Sequence, residues 1–196
     1  ITSCLKGYSL DQDKSCSPQE TVVRAKAALK NSGQNILAQT KRIDTGRLGI
    51  PVFMSLCGSD AREIMPTRKQ MGKGASVAQA EASALMELVE RFSFFSFWQD
   101  PSNFTSLTWS QAIDAFQDAL LPLEFILQSV GDNLDPQDAR RILDLLAWDF
   151  ASVTDLSTGQ EYMAPVNWFK ILNEFNGASA GNTMEESILQ GGCELV

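Results

Sequence analysis

Ser83, Glu87 and Glu90 lie four and three residues apart in a run without helix breakers, Val77 to Trp98. At about 100° per residue, Glu87 falls about 40° and Glu90 about −20° from Ser83, so the three share one narrow stripe. The rest of that wheel is largely apolar, with Leu85, Leu88, Val89, Phe92 and Phe95 and with Ala82 and Ala84 between them. A helix apolar nearly all round is buried. Two ionised carboxylates buried with it cost on the order of several kcal/mol each unless cations or shared protons compensate them. Two readings stay open on this pattern: a solvated or Arg91-paired acidic stripe, or ligation of a divalent metal. The chain has no histidine, so a bound metal would be held by oxygen, and a hard ion such as Mg2+ suits that set.

A second stripe repeats the theme. Asn182, Glu186, Gln190 and Glu194 recur every four residues, which sets four oxygen-bearing side chains along one slowly drifting helix face. Both stripes follow loops of small residues, Gly72-Lys73-Gly74-Ala75-Ser76 and Gly177-Ala178-Ser179-Ala180-Gly181. Such loops let backbone N–H groups approach a phosphate at a helix N-terminus. Neither is a Walker A motif, because Gly72-Lys73 is followed by Gly rather than Ser or Thr.

Composition narrows the remaining chemistry. Among 196 residues, 44% are hydrophobic and 20% charged, which is ordinary globular composition. Lys and Arg number 16 against 24 Asp and Glu, a net charge of −8 that opposes a sequence-independent grip on nucleic acid. No stretch reaches about 18 uncharged apolar residues, so no membrane span is expected. Without histidine, Ser-His-Asp and Cys-His catalysis and histidine-ligated zinc are excluded within this chain. Cys4, Cys16, Cys57 and Cys193 form no C-x-x-C pair, and free thiols in a reducing cytoplasm are expected.

The elements that must position these residues follow from periodicity and punctuation. Residues 4–18 are polar and turn-rich, and Ser17-Pro18-Gln19-Glu20 opens a helix over about 19–31. Strands are predicted over 35–44 and 50–56, with a turn at Thr45-Gly46-Arg47 and an irregular basic segment over 59–73. The long helix over 77–98 ends at Pro101. An amphipathic helix over 108–130 is broken near Pro122, Asp135 caps another over 137–147, and 148–165 reads as a hairpin around Ser157-Thr158-Gly159. Phe94, Phe95, Phe97 and Trp98 read as core at a helix end, with an aromatic binding face as the alternative. Helices and strands mix without strict β-α-β alternation, which predicts an α+β fold, a mixed sheet with flanking helices.

The residues also carry a family resemblance. Gly72-Lys73 through Ser83-Ala84-Leu85-Met86-Glu87-Leu88-Val89-Glu90-Arg91 is similar to the Ser-x3-Glu-x2-Glu-Arg signature of the YcaO family. The run from Ser179 through Asn182, Glu186 and Gln190 to Glu194 resembles that family's second signature, and Lys14 to Thr21 resembles its N-terminal motif. The resemblance implies the N-terminal half of a YcaO-type ATP-binding fold in which glutamates hold Mg2+ on the triphosphate. It implies phosphorylation of a peptide backbone amide oxygen, leading to azolines, or to thioamides when a sulfur donor and accessory protein take part. Carried over by position, Glu87, Glu90, Glu186 and Glu194 are implied metal ligands. Ser83, Asn182 and Gln190 are implied contacts to nucleotide or metal-bound water, and Lys14 and Thr21 to phosphate. Arg91 either orients the carboxylates or forms a structural ion pair.

The implied partners are a peptide or protein substrate and a ThiF-like or TfuA-like protein, with room for a homodimer. The family's second signature runs on to another Glu-Arg, and the sequence ends before it, so one truncated domain over 1–196 is expected. Two alternatives fit the same residues: an inactive YcaO-like scaffold or recognition protein, and a carboxylate-rich Mg2+-dependent phosphate-ester hydrolase. If both stripes serve one metal-bound triphosphate, they must face each other across one cleft.

Overall fold

The computed structural model describes residues 1–7, 14–130 and 134–196. In chain order the elements are α1 (Pro18–Asn31), β1 (Leu37–Arg42), β2 (Val52–Cys57), α2 (Ser59–Ile64), β3 (Lys69–Lys73), α3 (Val77–Gln99), β4 (Thr105–Leu107), α4 (Trp109–Phe116), α5 (Leu123–Ser129), α6 (Pro136–Leu143), β5 (Trp148–Thr154), β6 (Glu161–Pro165), α7 (Val166–Asn173) and α8 (Met184–Glu194). They fall into two compact units, Ile1–Asp100 with Asn176–Val196, and Pro101–Phe175. Among the described residues no helix is long and apolar enough to cross a membrane.

Local chemistry starts and stops the helices of the first unit. The Ser17 hydroxyl accepts from the Glu20 N–H at 3.3 Å while the Glu20 carboxylate accepts from the Ser17 N–H at 2.9 Å, a reciprocal capping box at the start of α1. α3 starts at Ser76, whose hydroxyl accepts from the Gln79 N–H, and ends before Asp100-Pro101. The strands pair antiparallel in the order β1-β2-β3. α3 covers the sheet and α1 packs against α3, and Leu29, Ile36, Cys57, Ala61, Leu85 and Leu88 share one core, with Phe92 and Phe95 packed against it.

The basic segment 59–73, expected to be irregular, instead contains α2 and β3. The inward positions of β3 are Gln70 and Gly72, so the strand shows no apolar alternation to read. Its pairing with β2, from Val52 opposite Lys73 to Leu56 opposite Lys69, is a tertiary effect.

The second unit is built on a separate antiparallel sheet in the order β4-β5-β6, over a core of Trp109, Ile126, Leu143 and Phe150. The predicted hairpin is β5 and β6, with Gly159 at φ 74° in its turn. The helix predicted over 108–130 breaks earlier than Pro122: Gln117 stands at φ 47°, and Pro122 precedes α5. α6 is capped by Asp135 as predicted but ends at Leu143, where the Leu143 carbonyl is taken up by the Trp148 indole N–H at 2.7 Å.

The fold is therefore α+β with helices flanking sheet. Its strands are shared between two three-stranded antiparallel sheets, and parallel pairing among the described residues is confined to the bridge between Leu120 and Met163. A tight turn joins only β5 to β6, whereas α2 lies between β2 and β3 and α4, α5 and α6 lie between β4 and β5, so connection length does not set the antiparallel pairing.

Candidate functional site

Glycine, alanine and serine set the position of α3. A Cβ on Gly72 would stand 2.1 Å from the Ala84 backbone nitrogen and 2.5 Å from the Ala80 carbonyl oxygen, so β3 and α3 meet backbone to backbone. Ala80 and Ala84 are fully buried at that contact. The buried Ser55 hydroxyl of β2 donates to the Ala84 carbonyl at 2.7 Å, which pins the middle of α3 to the sheet. With the alanine face on the strands and Leu85 and Leu88 in the core, the Ser83, Glu87 and Glu90 stripe is left lining a cavity.

The second stripe is anchored by different means. Thr183 caps α8 by accepting from the Glu186 N–H at 3.2 Å. A Cβ on Gly191 would sit 2.4 Å from the Gly177 carbonyl oxygen, so the small-residue loop lies directly against α8. Glu186 is buried and held by four groups. The Ser15 N–H and hydroxyl each donate to it at 3.0 Å, the Asn182 amide donates at 3.1 Å, and the Lys14 ammonium lies 3.5 Å away. Burial acts to raise its pKa, but the Ser15 and Asn182 contacts and the Lys14 charge outweigh it and hold the carboxyl below its ordinary value.

These elements bring both stripes and the N-terminal motif together. Ser83, Glu87, Glu90, Asn182, Glu186, Gln190, Glu194, Lys14 and Thr21 all line one cavity of about 570 Å³ within the first unit. The Thr21 hydroxyl, on the first turns of α1, donates to the Asn182 amide oxygen at 2.9 Å. The middle of the turn-rich stretch 4–18 lies outside the described residues.

The cavity wall carries charge of both signs. Burial, followed by repulsion from Glu87 and, less strongly, from Glu194, pushes Glu90 up to about 7, against the attraction of Arg91. Arg91 pairs with both carboxylates, its Nε lying 3.1 Å from Glu87 and 3.5 Å from Glu90, a contact common to the orienting and the structural readings. It leaves the mutual repulsion of the three carboxylates incompletely compensated. Lys14 and Lys73 supply positive charge elsewhere on the wall. Among the described residues no three acidic or thiol groups converge closely enough to enclose an ion as they stand. The donor set nevertheless fits a hard cation, since every candidate ligand is an oxygen and an added positive charge would relieve Glu90.

Some of the cavity's residues escape sequence reasoning. Lys73 belongs to no periodic stripe, and Gln79 is committed locally, its amide oxygen accepting from the Ala75 N–H at 2.7 Å. The four cysteines are free thiols, as expected, with Cys57 fully buried and Cys16 on the cavity wall.

A family model described as YcaO cyclodehydratase, ATP- and Mg2+-binding, matches residues 71–196, well over half of the chain. The chain belongs to the YcaO family. A YcaO structure from Methanopyrus kandleri, bound with AMPPCP and Mg2+, is similar over 97% of this chain and 45% of its own, at 20% identity and a TM-score of 0.56. A heterocyclase in complex with substrate and cofactor is similar over 94% of this chain and 28% of its own, at 20% identity and a TM-score of 0.60. At that identity the likeness is one of YcaO fold, and the chain spans less than half the length of either structure. No curated protein matches the chain. ATP and Mg2+, the cofactors expected from the sequence, are those of the YcaO family description.

Proposed function

We propose that this YcaO cavity binds ATP with Mg2+ and that the full-length protein activates peptide backbone amides, phosphorylating the amide oxygen on the way to an azoline or a thioamide. The observation that carries the reading is the convergence of both signatures and the N-terminal motif on one cavity of about 570 Å³. A wall that carries carboxylates together with Lys14 and Lys73 suits a polyphosphate bridged by divalent ions.

In this reading Glu87, Glu90, Glu186 and Glu194 are the metal ligands. Ser83, Asn182 and Gln190 hold nucleotide or metal-bound water, and Lys14, Thr21 and Lys73 take phosphate oxygens. Bound Mg2+ supplies charge neutralisation for phosphoryl transfer. Thr21 and Asn182 orient each other, and Arg91 holds the Glu87 carboxylate in place. Glu90, with a pKa of about 7, keeps a proton part of the time near neutrality and gives it up when a cation arrives. None of these roles needs an imidazole base, which accords with a chain lacking histidine.

The proposed setting is the cytoplasm, as part of one longer YcaO domain, with a peptide substrate and a ThiF-like or TfuA-like partner or a second copy. Calorimetry of the full-length protein with ATP, with and without EDTA, tests the reading. Binding should require Mg2+, and tight metal-independent binding overturns it. Phosphate release without peptide modification would favour the phosphate-ester hydrolase, and ATP binding without turnover the scaffold.

A further inference from the structure

The sheet of the first unit runs β1-β2-β3, so among the described residues β1 has a strand on one side only. Just past β1, the Ile43 N–H donates to the Val52 carbonyl at 2.9 Å. Backbone groups in an antiparallel pair turn toward the partner at alternate residues, so Thr40 and Arg42 turn theirs away from β2. The register also slips between Leu37 and Gln39, which leaves Ala38 without a partner on β2. Along this open edge runs a groove of about 630 Å³. Its walls include Lys26, Leu29 and Lys30 of α1 and Leu37, Ala38 and Thr40 of β1.

Alternating donors and acceptors along an open strand edge are met by another extended chain, and the side chains around them select which one. The charged residues lining the groove are Lys26 and Lys30, in a chain whose net charge is −8. Glu81 of α3 pairs with Lys26 at 2.6 Å and accepts from the Thr40 hydroxyl at 2.7 Å, which ties α1, α3 and β1 together and fixes the groove. Lys30 is exposed in the last turn of α1, with no carboxylate within ion-pair distance among the described residues. An acidic strand with apolar residues to set against Leu29 and Leu37 matches these walls. A second copy matches poorly, because the edge strands of its own sheet, β1 and β3, carry Lys41, Lys69 and Lys73 and no carboxylate. The reacting peptide matches poorly too, since the groove and the cavity proposed for ATP have no lining residue in common.

We propose that β1 is a docking edge to which a partner protein adds an extended acidic segment, its backbone pairing with Thr40 and Arg42 and a carboxylate meeting Lys30. Lysines on an edge strand also keep like-charged strands away, so the same residues that discourage self-pairing admit an acidic visitor. The site stands apart from the phosphate chemistry and needs no nucleotide to form.

The test titrates the full-length protein, without nucleotide, into a fluorescein-labelled octapeptide of alternating Glu and Val and follows anisotropy. Binding should saturate, and hydrogen exchange of the segment 37–42 should slow in the complex. N-methylation of alternate peptide amides, which removes the strand's donors, should weaken binding by at least about tenfold, as should replacement of its Glu by Lys. Lys30→Glu should weaken the acidic peptide by about tenfold while MgATP affinity, read by calorimetry, stays unchanged. Lys30→Gln should give an intermediate loss and covers the case in which the first variant fails to fold. No binding, equal binding of the N-methylated peptide, or binding without protection of 37–42 overturns the docking edge. Displacement of the peptide by MgATP would place it in the ATP cavity instead, and self-association that excludes it, seen by sedimentation, would make the occupant a second copy; either outcome also overturns the proposal.

Discussion

The Thr21 hydroxyl donates to the Asn182 amide oxygen at 2.9 Å across 161 positions of sequence. Asn182 in turn donates to Glu186 at 3.1 Å, so a residue on α1 orients a carboxylate on α8 through one amide. The chain of bonds fixes which end of the Asn182 amide faces Glu186. A reversed amide would set two acceptors against each other.

Thr21→Val keeps the shape of the side chain and removes that donor. Folding stability should fall by about 1 kcal/mol, the usual net worth of one such bond. MgATP affinity should fall by about tenfold or more, because Asn182 loses its orientation as well. Chemical denaturation and calorimetry on the same preparation check the pair of outcomes. Unchanged affinity would make the bond purely structural.

Glu87→Gln removes a charge that is already 35% exposed and paired with Arg91 along one helix face. Such a pair contributes little to stability, and Glu90 is relieved of a neighbour that repels it. The melting temperature should hold or rise while ATP-dependent peptide modification is abolished. A large fall in melting temperature with activity retained would assign Glu87 to an ion pair alone.

Glu90 makes the metal-free protein sensitive to pH. Its pKa is raised from an ordinary 4.5 to about 7, so between those values the folded state holds a proton that the unfolded chain has released. Its contribution to stability is fully present below about pH 4.5 and is lost as pH rises through about 7. Stability measured in EDTA should carry a falling component over that interval, which Glu90→Gln removes. Saturating Mg2+ should restore stability most at the alkaline end. An identical pH profile for parent and Glu90→Gln contradicts the assignment.

Gly72→Ala tests how α3 is placed. The new Cβ would meet the backbone of Ala80 and Ala84 rather than a movable side chain. Helix and strand must separate, at a cost of about 3 kcal/mol, and the Ser83, Glu87 and Glu90 stripe shifts with them. Thermal unfolding and MgATP calorimetry should both show the loss. Gly159→Ala is the contrasting case: it strains only a turn whose Cβ would meet nothing within 4 Å, and nucleotide binding should survive it.

The sequence by itself determined what depends on residues within one or two turns of each other. The stripes on α3 and α8, the capping box of Ser17 and Glu20, the Asp135 cap and the turn at Gly159 are set by periods and backbone preferences that act locally. Spacing alone could say that Glu87 and Glu90 share a face, because a helix fixes that angle regardless of its surroundings. Only the tertiary structure decided which groups meet those faces. Lys14 and Ser15 reach Glu186 from 171 or more residues away, and nothing in their own neighbourhood marks them for it. β3 was illegible for a related reason: Gln70 and Gly72 are inward because β2 pairs beside them and α3 presses on them, and neither residue type announces burial. The raised pKa of Glu90 is likewise a property of assembly, since burial and the approach of Glu194 exist only after α8 has docked beside α3.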